Sequence, residues 1–139
     1  MNQKSMQTAG PGNQDYYRLI PRDGTPDLYF SIPKIERLLQ AEPLLFRMLQ
    51  IPLTEELYGY LTHVCGILDS VVAKITPERA EQPGLALLWG EENQNFHIVD
   101  GSHRAVWRFR HGLPSFSAHA VPLEIARKRC LLDLPSGYD

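Results

Sequence analysis

The sequence predicts one α+β domain in which a small mixed β-sheet is flanked by helices. Short apolar runs, typical of buried strands, occupy residues 85–89, 96–99 and 116–121. Apolar residues recur at spacings of three and four from residue 57 to 75, and a second helical segment covers 102–111. With 139 residues and 43% hydrophobic content, the chain is long enough for one domain with a core of its own.

The first 15 residues are polar and contain the turn-forming run Gly10-Pro11-Gly12. Such a segment buries too little apolar surface to offset the entropy lost on ordering, which predicts a disordered tail. We therefore place the single domain at residues 16–139. A turn is predicted near its start, at Asp23-Gly24-Thr25-Pro26.

A strand and two helical segments are predicted next. Residues 28–32 include two aromatic residues and an isoleucine, all common in strands, which indicates a strand that ends at Pro33. Helical patterns cover 34–40 and 44–49, with Glu42-Pro43 between them. A proline cannot continue a helix without losing a hydrogen bond, so the two segments are separate.

Thr54 is predicted to cap the longest helix. Glu55 and Glu56 follow in its first turn, where the positive end of the helix dipole favours carboxylates. The pattern leaves the far end open, because residues 71–73 fit a strand as well as a helix. Pro77 ends the segment.

The second half of the chain is predicted to alternate strands and helices. The first two strands are close enough to pair as a hairpin. Gly112 lies just past the helix that follows, where a left-handed residue commonly ends a helix. The predicted elements are strands at 85–89, 96–99 and 116–121 and helices at 102–111 and 123–132.

The composition argues against several classes of function. A net charge of −2 does not favour nonspecific attraction to nucleic acid or to anionic membranes. Cys65 and Cys130 lie far apart in apolar surroundings, which predicts buried reduced thiols. No apolar run approaches the roughly 20 residues that span a bilayer, and the N terminus lacks the apolar core of a signal peptide. We expect a cytoplasmic protein without a membrane partner.

The segment from Asp100 to Arg104 carries the clearest functional signal, because it joins a strand to a basic helix. From residue 101 to 123 the chain has three arginines, three histidines and no carboxylate. The N–H groups of Gly101, Ser102 and His103 are expected to point outward from the positive end of the helix. A glycine at 101 would let an oxygen-rich ligand approach the backbone, and Arg104 would add a forked contact.

These features predict a cradle for an anion, most naturally a phosphate. An ordinary tight turn between a strand and a helix would use the same residues, so the pattern alone leaves both interpretations open. On a helical wheel, Ala105, Val106 and Phe109 form the face expected in the core. Arg104 and Arg108 lie on another face, which we expect to be exposed.

The flanks of this segment resemble the central motif of the ParB/sulfiredoxin superfamily. Ile98-Val99 precedes Asp100-Gly101-Ser102-His103-Arg104, the helix ends at Gly112, and Ala118-His119-Ala120-Val121-Pro122 follows as a strand. Upstream, Gln82-Pro83-Gly84-Leu85 is similar to the start of the strand before this motif. The resemblance covers about residues 80–123 and implies a ParB/sulfiredoxin-like fold.

The resemblance also implies a function. Members bind nucleotide phosphates through this motif, and some plasmid-borne members, including fertility-inhibition factors, act as ATPases or DNases. It therefore implies a nucleoside-triphosphate-binding protein of a plasmid or other mobile element, with ATPase activity and, as a second activity, DNase activity on DNA. ATP or CTP with Mg²⁺ would be the cofactor. The alternative is a catalytically silent interaction or regulatory module.

Residue roles follow from the same resemblance. The cofactor-binding residues would be Gly101, Ser102, His103 and Arg104. The catalytic candidates would be Asp100, His103, Arg104 and Glu81. In this scheme Arg104 neutralises charge on the transferred group, and Asp100 orients His103 or holds Mg²⁺. Glu81 is included because residues before the strand line the site in relatives. Glu36 matches a catalytic acid of the serine-kinase members only loosely, and we expect it to be a surface glutamate.

Departures from the family pattern narrow the choice. Ser102 stands where sulfiredoxins carry a reactive cysteine, so we expect no sulfinic-acid reduction. Only the last 17 residues follow Pro122, so we do not expect the DNA-binding and dimerisation regions of a partition ParB. The histidines at 97, 103, 111 and 119 fit no familiar metal-ligand spacing. Trp107 fits either a core position or base stacking.

Overall fold

The computed structural model describes residues 16–20 and 24–132, so the predicted tail at 1–15 lies outside the described residues. Two short 3₁₀ turns, Pro43–Leu45 and Glu91–Asn93, accompany the regular elements. The strands are β1 (Tyr16–Leu19), β2 (Leu28–Ser31), β3 (Arg47–Pro52), β4 (Gly84–Trp89), β5 (Asn95–Asp100) and β6 (Ser115–Pro122). The helices are α1 (Ile32–Ala41), α2 (Glu55–Val64), α3 (Asp69–Ala73), α4 (Pro77–Ala80), α5 (Ser102–Arg110) and α6 (Leu123–Arg129).

Four strands form a mixed sheet in the order β3-β6-β4-β5, which confirms the predicted α+β class. β6 pairs antiparallel with β3 and parallel with β4, and β4 and β5 form the predicted antiparallel hairpin. In the pairing register, Leu85 lies opposite Asp100 and Gly84 lies beside Ala118. The start of β4 and the end of β5 therefore meet at one edge of the sheet, where α5 begins.

Helices cover both faces of this sheet. β1 and β2 form a separate antiparallel pair that packs with α1 and α6 on one face, and α2, α3 and α5 pack on the other. Successive residues of β4 alternate between the faces: Leu87 belongs to the first cluster and Leu88 to the second. Both faces of β4 are buried, which explains its continuous apolar run.

Several element predictions are confirmed by the structure. The Thr54 hydroxyl accepts a hydrogen bond from the Leu57 N–H at 3.1 Å and so caps α2. The predicted helix at 102–111 is α5, and Gly112 follows it with a φ of +76°. The predicted terminal helix at 123–132 ends earlier, at Arg129. There the Cys130 carbonyl accepts a hydrogen bond from Ser31 at the end of β2.

Two predictions were wrong. Residues 44–49 form the end of a 3₁₀ turn and the start of β3, because β6 offers a backbone partner to every residue of β3. This long-range ladder overrides the local helical spacing. The helical pattern from residue 57 to 75 is broken between Val64 and Asp69 into α2 and α3, and residues 71–73, which the pattern left open, are helical with Val72 buried. Among the described residues, no helix is long and apolar enough to cross a membrane.

Gly84 lies at the crowded start of β4. A Cβ at this position would contact the Asp100 carbonyl oxygen and lie 2.7 Å from Phe116 Cζ. Neither neighbour can move aside easily, because the Phe116 side chain is 1% exposed and the Asp100 carbonyl belongs to the backbone. A side chain at 84 would therefore push β4 away from β5 and β6.

We expect Gly84→Ala to lower the free energy of unfolding by about 1–3 kcal/mol, the usual cost of overpacking. Gly59→Ala is the matched control, because Gly59 lies within α2 and a Cβ there meets nothing within 4 Å. It should stabilise the protein by about 0.5–1 kcal/mol. Urea denaturation measures both, and equal effects of the two substitutions would contradict the packing at Gly84.

Candidate functional site

The predicted site lies at the corner where β5 passes into α5. Gly101 occupies the N-cap position with a left-handed φ of +106°, and its carbonyl accepts the first helical hydrogen bond, from Ala105 at 3.0 Å. The N–H groups of Ser102, His103 and Arg104 precede that bond and have no partner within the helix. No side chain caps this end, and the first turn carries no acidic residue.

Gly101 is needed for packing. A Cβ there would lie 2.7 Å from Phe116 Cζ and 3.3 Å from Gly84 Cα, so the glycine fits against the sheet. Its positive φ independently disfavours other residues. The expectation that this glycine opens a path for a ligand is therefore wrong: the space left by the missing Cβ is filled by the protein's own residues.

Arg104 is buried, with only 7% of its surface exposed, so the prediction that it is exposed was wrong. Its Nη1 donates hydrogen bonds to the carbonyls of Gln82 at 2.9 Å and Pro83 at 3.2 Å. Its Nη2 donates to Asp100 Oδ2 at 3.3 Å. Helical side chains point back toward the N terminus of their helix, which brings this guanidinium under the corner.

Several charges surround the buried guanidinium. Burial lowers the pKa of Arg104, and the carboxylate of Asp100 opposes that effect. Arg79 lowers the same pKa further, and Glu36 raises it, so both lie close enough to act on Arg104 electrostatically. Glu36 and Arg79 are exposed. The corner thus joins Asp100 and Arg104 by a hydrogen bond, and Glu36, the loosely matched acid of the sequence, acts on Arg104 through its charge alone.

His103 is held by a neighbouring loop. Its Nε2 accepts a hydrogen bond from the Leu68 N–H at 3.2 Å, just before α3, so the neutral ring carries its proton on Nδ1. Burial lowers the pKa of His103, which favours that neutral form. The predicted role of Asp100 in orienting His103 is not what the structure shows, because the described hydrogen bond of Asp100 goes to Arg104.

The rest of α5 is also anchored to the protein. Arg108 Nε donates to the Ser115 carbonyl at 2.6 Å, and Arg110 pairs with Asp69 at 3.0 Å. Arg108 is half-buried, although it was expected to be exposed, because its side chain reaches the backbone at the first residue of β6. Ala105 and Val106 are fully buried as predicted. Phe109, predicted to be buried, is half-buried and stacks on Tyr58 with ring centroids 4.5 Å apart.

Glu81 lies in a different setting from the corner. It lines a cleft of about 350 Å³, together with Pro77, Gln82, Trp107, Arg108 and Leu113. The corner residues 101–103 are not part of this lining. Glu81 is therefore adjacent to Gln82, whose carbonyl Arg104 binds, but it lines a cleft that also includes Trp107 and Arg108, which were not among the predicted site residues. The sequence did not predict this cleft, because its other wall is formed by α4 and the residues after it, which lie far from α5 in the sequence.

Within the described residues, no group of three or more histidine, cysteine, aspartate or glutamate side chains is placed to hold a metal ion. Cys65 and Cys130 are free thiols, and burial raises the pKa of Cys65 to about 12. A thiol with such a pKa is a poor nucleophile at neutral pH. Neither cysteine adds chemistry to the corner.

Comparison with known proteins adds no relative. The sequence matches no family model. No curated protein and no solved structure is significantly similar to the chain. The relation to the ParB/sulfiredoxin superfamily therefore stays a prediction from the motif.

Arg104→Lys tests the hydrogen bonds under the corner. Lysine keeps the charge but cannot reach Gln82, Pro83 and Asp100 with one planar fork. We expect a loss of about 1–3 kcal/mol in the free energy of unfolding, because buried acceptors lose their donor. Arg127→Lys, at an exposed position of α6, should change stability by less than about 0.5 kcal/mol. Denaturant unfolding compares them, and a neutral Arg104→Lys would refute the role assigned to Arg104.

The His103 bond predicts a pH dependence of stability. Because folding lowers the pKa of His103 from its ordinary 6.5, the unfolded chain binds a proton first as the pH falls. The free energy of unfolding should therefore decrease as the pH drops below about 6.5. Burial also lowers the pKa of His97, to about 4, so both histidines contribute in the same direction.

His103→Gln separates the two contributions, because glutamine keeps an acceptor for Leu68 but does not titrate. Its unfolding free energy, measured by denaturation from pH 7 downward, should fall less steeply than that of the parent. The His97 contribution is common to both proteins and cancels in the difference. Parallel pH profiles would show that His103 does not titrate on unfolding.

Proposed function

We propose that the N terminus of α5 binds the phosphate groups of a nucleoside triphosphate, ATP or CTP. The observation that supports this most strongly is an uncapped, acid-free helix start whose first turn carries the buried cation Arg104, on which the charge of Arg79 also acts. Unpaired backbone N–H groups and the positive end of a helix dipole together favour an anion. Ser102 and His103 are partly exposed, so a ligand has access to their N–H groups.

Arg104 supports this site from the interior of the protein, beneath the start of α5. Its guanidinium is committed to the Gln82, Pro83 and Asp100 oxygens, so a forked contact with phosphate would require these bonds to break. In the proposal Arg104 keeps the corner in shape and contributes positive potential. Direct contact with phosphate comes from the backbone of Ser102 and His103 and from the Ser102 hydroxyl.

Mg²⁺ would arrive with the nucleotide. In nucleotide sites this ion is held mainly by phosphate oxygens and water, with one or two carboxylates from the protein. Among the described residues, Glu36 has no hydrogen-bond or ion-pair partner, whereas Asp100 is engaged by Arg104. Glu36 is therefore the carboxylate that we assign to the magnesium or to the attacking water in an ATPase reaction. The DNase activity that the resemblance implies would cleave a phosphodiester of DNA at the same site.

A second candidate is a binding or regulatory module without turnover. It is favoured by a specific observation: Asp100 and Arg104 bond each other, and His103 bonds Leu68. Three of the four predicted catalytic side chains thus hold the fold together. Release of phosphate from ATP or CTP with Mg²⁺ distinguishes the candidates, since the module binds nucleotide without releasing phosphate. In the enzyme, Glu36→Gln should lower the rate and leave binding in place.

Ser102→Glu tests the binding site that both candidates share. A carboxylate in the first turn of α5 should stabilise the protein by about 0.3–1 kcal/mol through the helix dipole. The same charge should weaken nucleotide binding about tenfold or more by repelling the phosphates. Thermal unfolding and calorimetric titration with ATP and CTP measure the two opposite effects.

Gln94→Glu is the control for added charge, because Gln94 lies in the turn between β4 and β5, at the other end of the hairpin. It should leave binding unchanged. Binding by the parent should also weaken as salt is added, since it rests on charge. If neither nucleotide binds the parent, or Ser102→Glu binds as well as the parent, the proposed phosphate site is wrong.

A further inference from the structure

The cleft beside α4 and α5 carries two opposite charges that do not neutralise each other. Glu81 and Arg108 both line it, yet no hydrogen bond or ion pair joins them in the described part of the chain. Glu81 is exposed, and its carboxylate has no described partner. A cleft with one unpaired charge of each sign differs from an ordinary solvated surface, where such charges usually lie apart or pair directly.

Arg108 is fixed in place and still has donors to offer. Its Nε donates to the Ser115 carbonyl at 2.6 Å and its Nη1 to the Ala80 carbonyl at 3.3 Å. Among the described residues, Nη2 has no acceptor. Since the guanidinium is already held by two carbonyls, binding an anion there costs little further side-chain entropy.

The remaining walls are suited to an apolar group. Trp107, Leu113 and Pro77 contribute carbon surface, and the indole of Trp107 is itself held by stacking on His111, with ring centroids 3.7 Å apart. The volume of about 350 Å³ lies at the small end of the range for ligand pockets, roughly 300–1,000 Å³. The cleft therefore fits a small molecule better than a large one.

We propose that this cleft binds a small zwitterion, a molecule of the amino-acid class with an ammonium group, a carboxylate and an apolar body. The carboxylate accepts hydrogen bonds from Arg108 Nη2, the ammonium donates to Glu81, and the apolar body packs on Trp107 and Leu113. A simple anion would be repelled by Glu81, and a simple amine would be repelled by Arg108. Only a ligand with both charges satisfies both side chains.

Fluorescence of Trp107 reports on occupancy of the cleft. The chain has two tryptophans, and Trp89→Phe removes the other one, which lies at the far end of β4. In this background the probes are leucine, 5-aminopentanoate, and the two halves of leucine, 3-methylbutylamine and 4-methylpentanoate. At least one of the two zwitterions should bind about tenfold or more tightly than the amine or the acid. The two zwitterions differ in charge separation and so measure the gap between Glu81 and Arg108.

Glu81→Gln, made in the same background, keeps the size of the side chain and removes its charge. It should weaken zwitterion binding about tenfold and leave 4-methylpentanoate binding unchanged or stronger. Glu78→Gln is the matched control, because Glu78 is exposed on α4, just before Glu81, and does not line the cleft. Thermal unfolding confirms that both variants are folded.

Three results would each overturn the proposal: no response of Trp107 to either zwitterion, equal binding of zwitterion and acid, or full binding by Glu81→Gln. Equal binding of the acid would instead identify a plain anion site at Arg108. Because residues 101–103 do not line this cleft, loss of the nucleotide site leaves the outcome of these titrations unaffected.

Discussion

The guanidinium of Arg104 joins three parts of the chain at one point. It binds the carbonyls of Gln82 and Pro83 before β4 and the carboxylate of Asp100 at the end of β5, while its own backbone begins α5. A charge that is 7% exposed must be paired, since an isolated buried cation is far less stable than one in water. The position of the corner relative to the sheet depends on this requirement.

The glycines at the corner are a consequence of the same constraint. For Arg104 to reach back under α5, the chain must approach the start of β4 closely, and Phe116 fills the space that remains. Gly84 and Gly101 both face that ring at 2.7 Å from their missing Cβ positions. The motif that looks like a ligand cradle in sequence is therefore first a packing solution, and any ligand must use the outward N–H groups of α5.

The sequence predicted what depends on neighbouring residues. Apolar runs identified β4, β5 and β6, and Thr54 and Gly112 marked helix ends, because a strand buried on both faces and a helix terminus leave local patterns. The burial of Arg104 left no such pattern. A helical wheel describes the sides of a helix and not the space beyond its end, and the two carbonyl acceptors of Arg104 lie 21 and 22 residues upstream. The same limit hid β3, whose partner β6 lies far along the chain.

The segment from Ala80 to Pro83 links the corner to the cleft. Two arginines of α5 donate hydrogen bonds to its backbone carbonyls: Arg108 to Ala80, and Arg104 to Gln82 and Pro83. Arg79 adds a side-chain bond to Gln82 at 3.1 Å. Glu81 lies between Ala80 and Gln82, whose carbonyls the two arginines of α5 bind. Its exposed carboxylate therefore projects from backbone that is held on both sides. This arrangement explains how a short helix and a turn keep a charged side chain at the edge of a cleft without an ion pair of its own. Fixed backbone on one side and a helix on the other give the cleft a defined width, which a flexible loop would not provide.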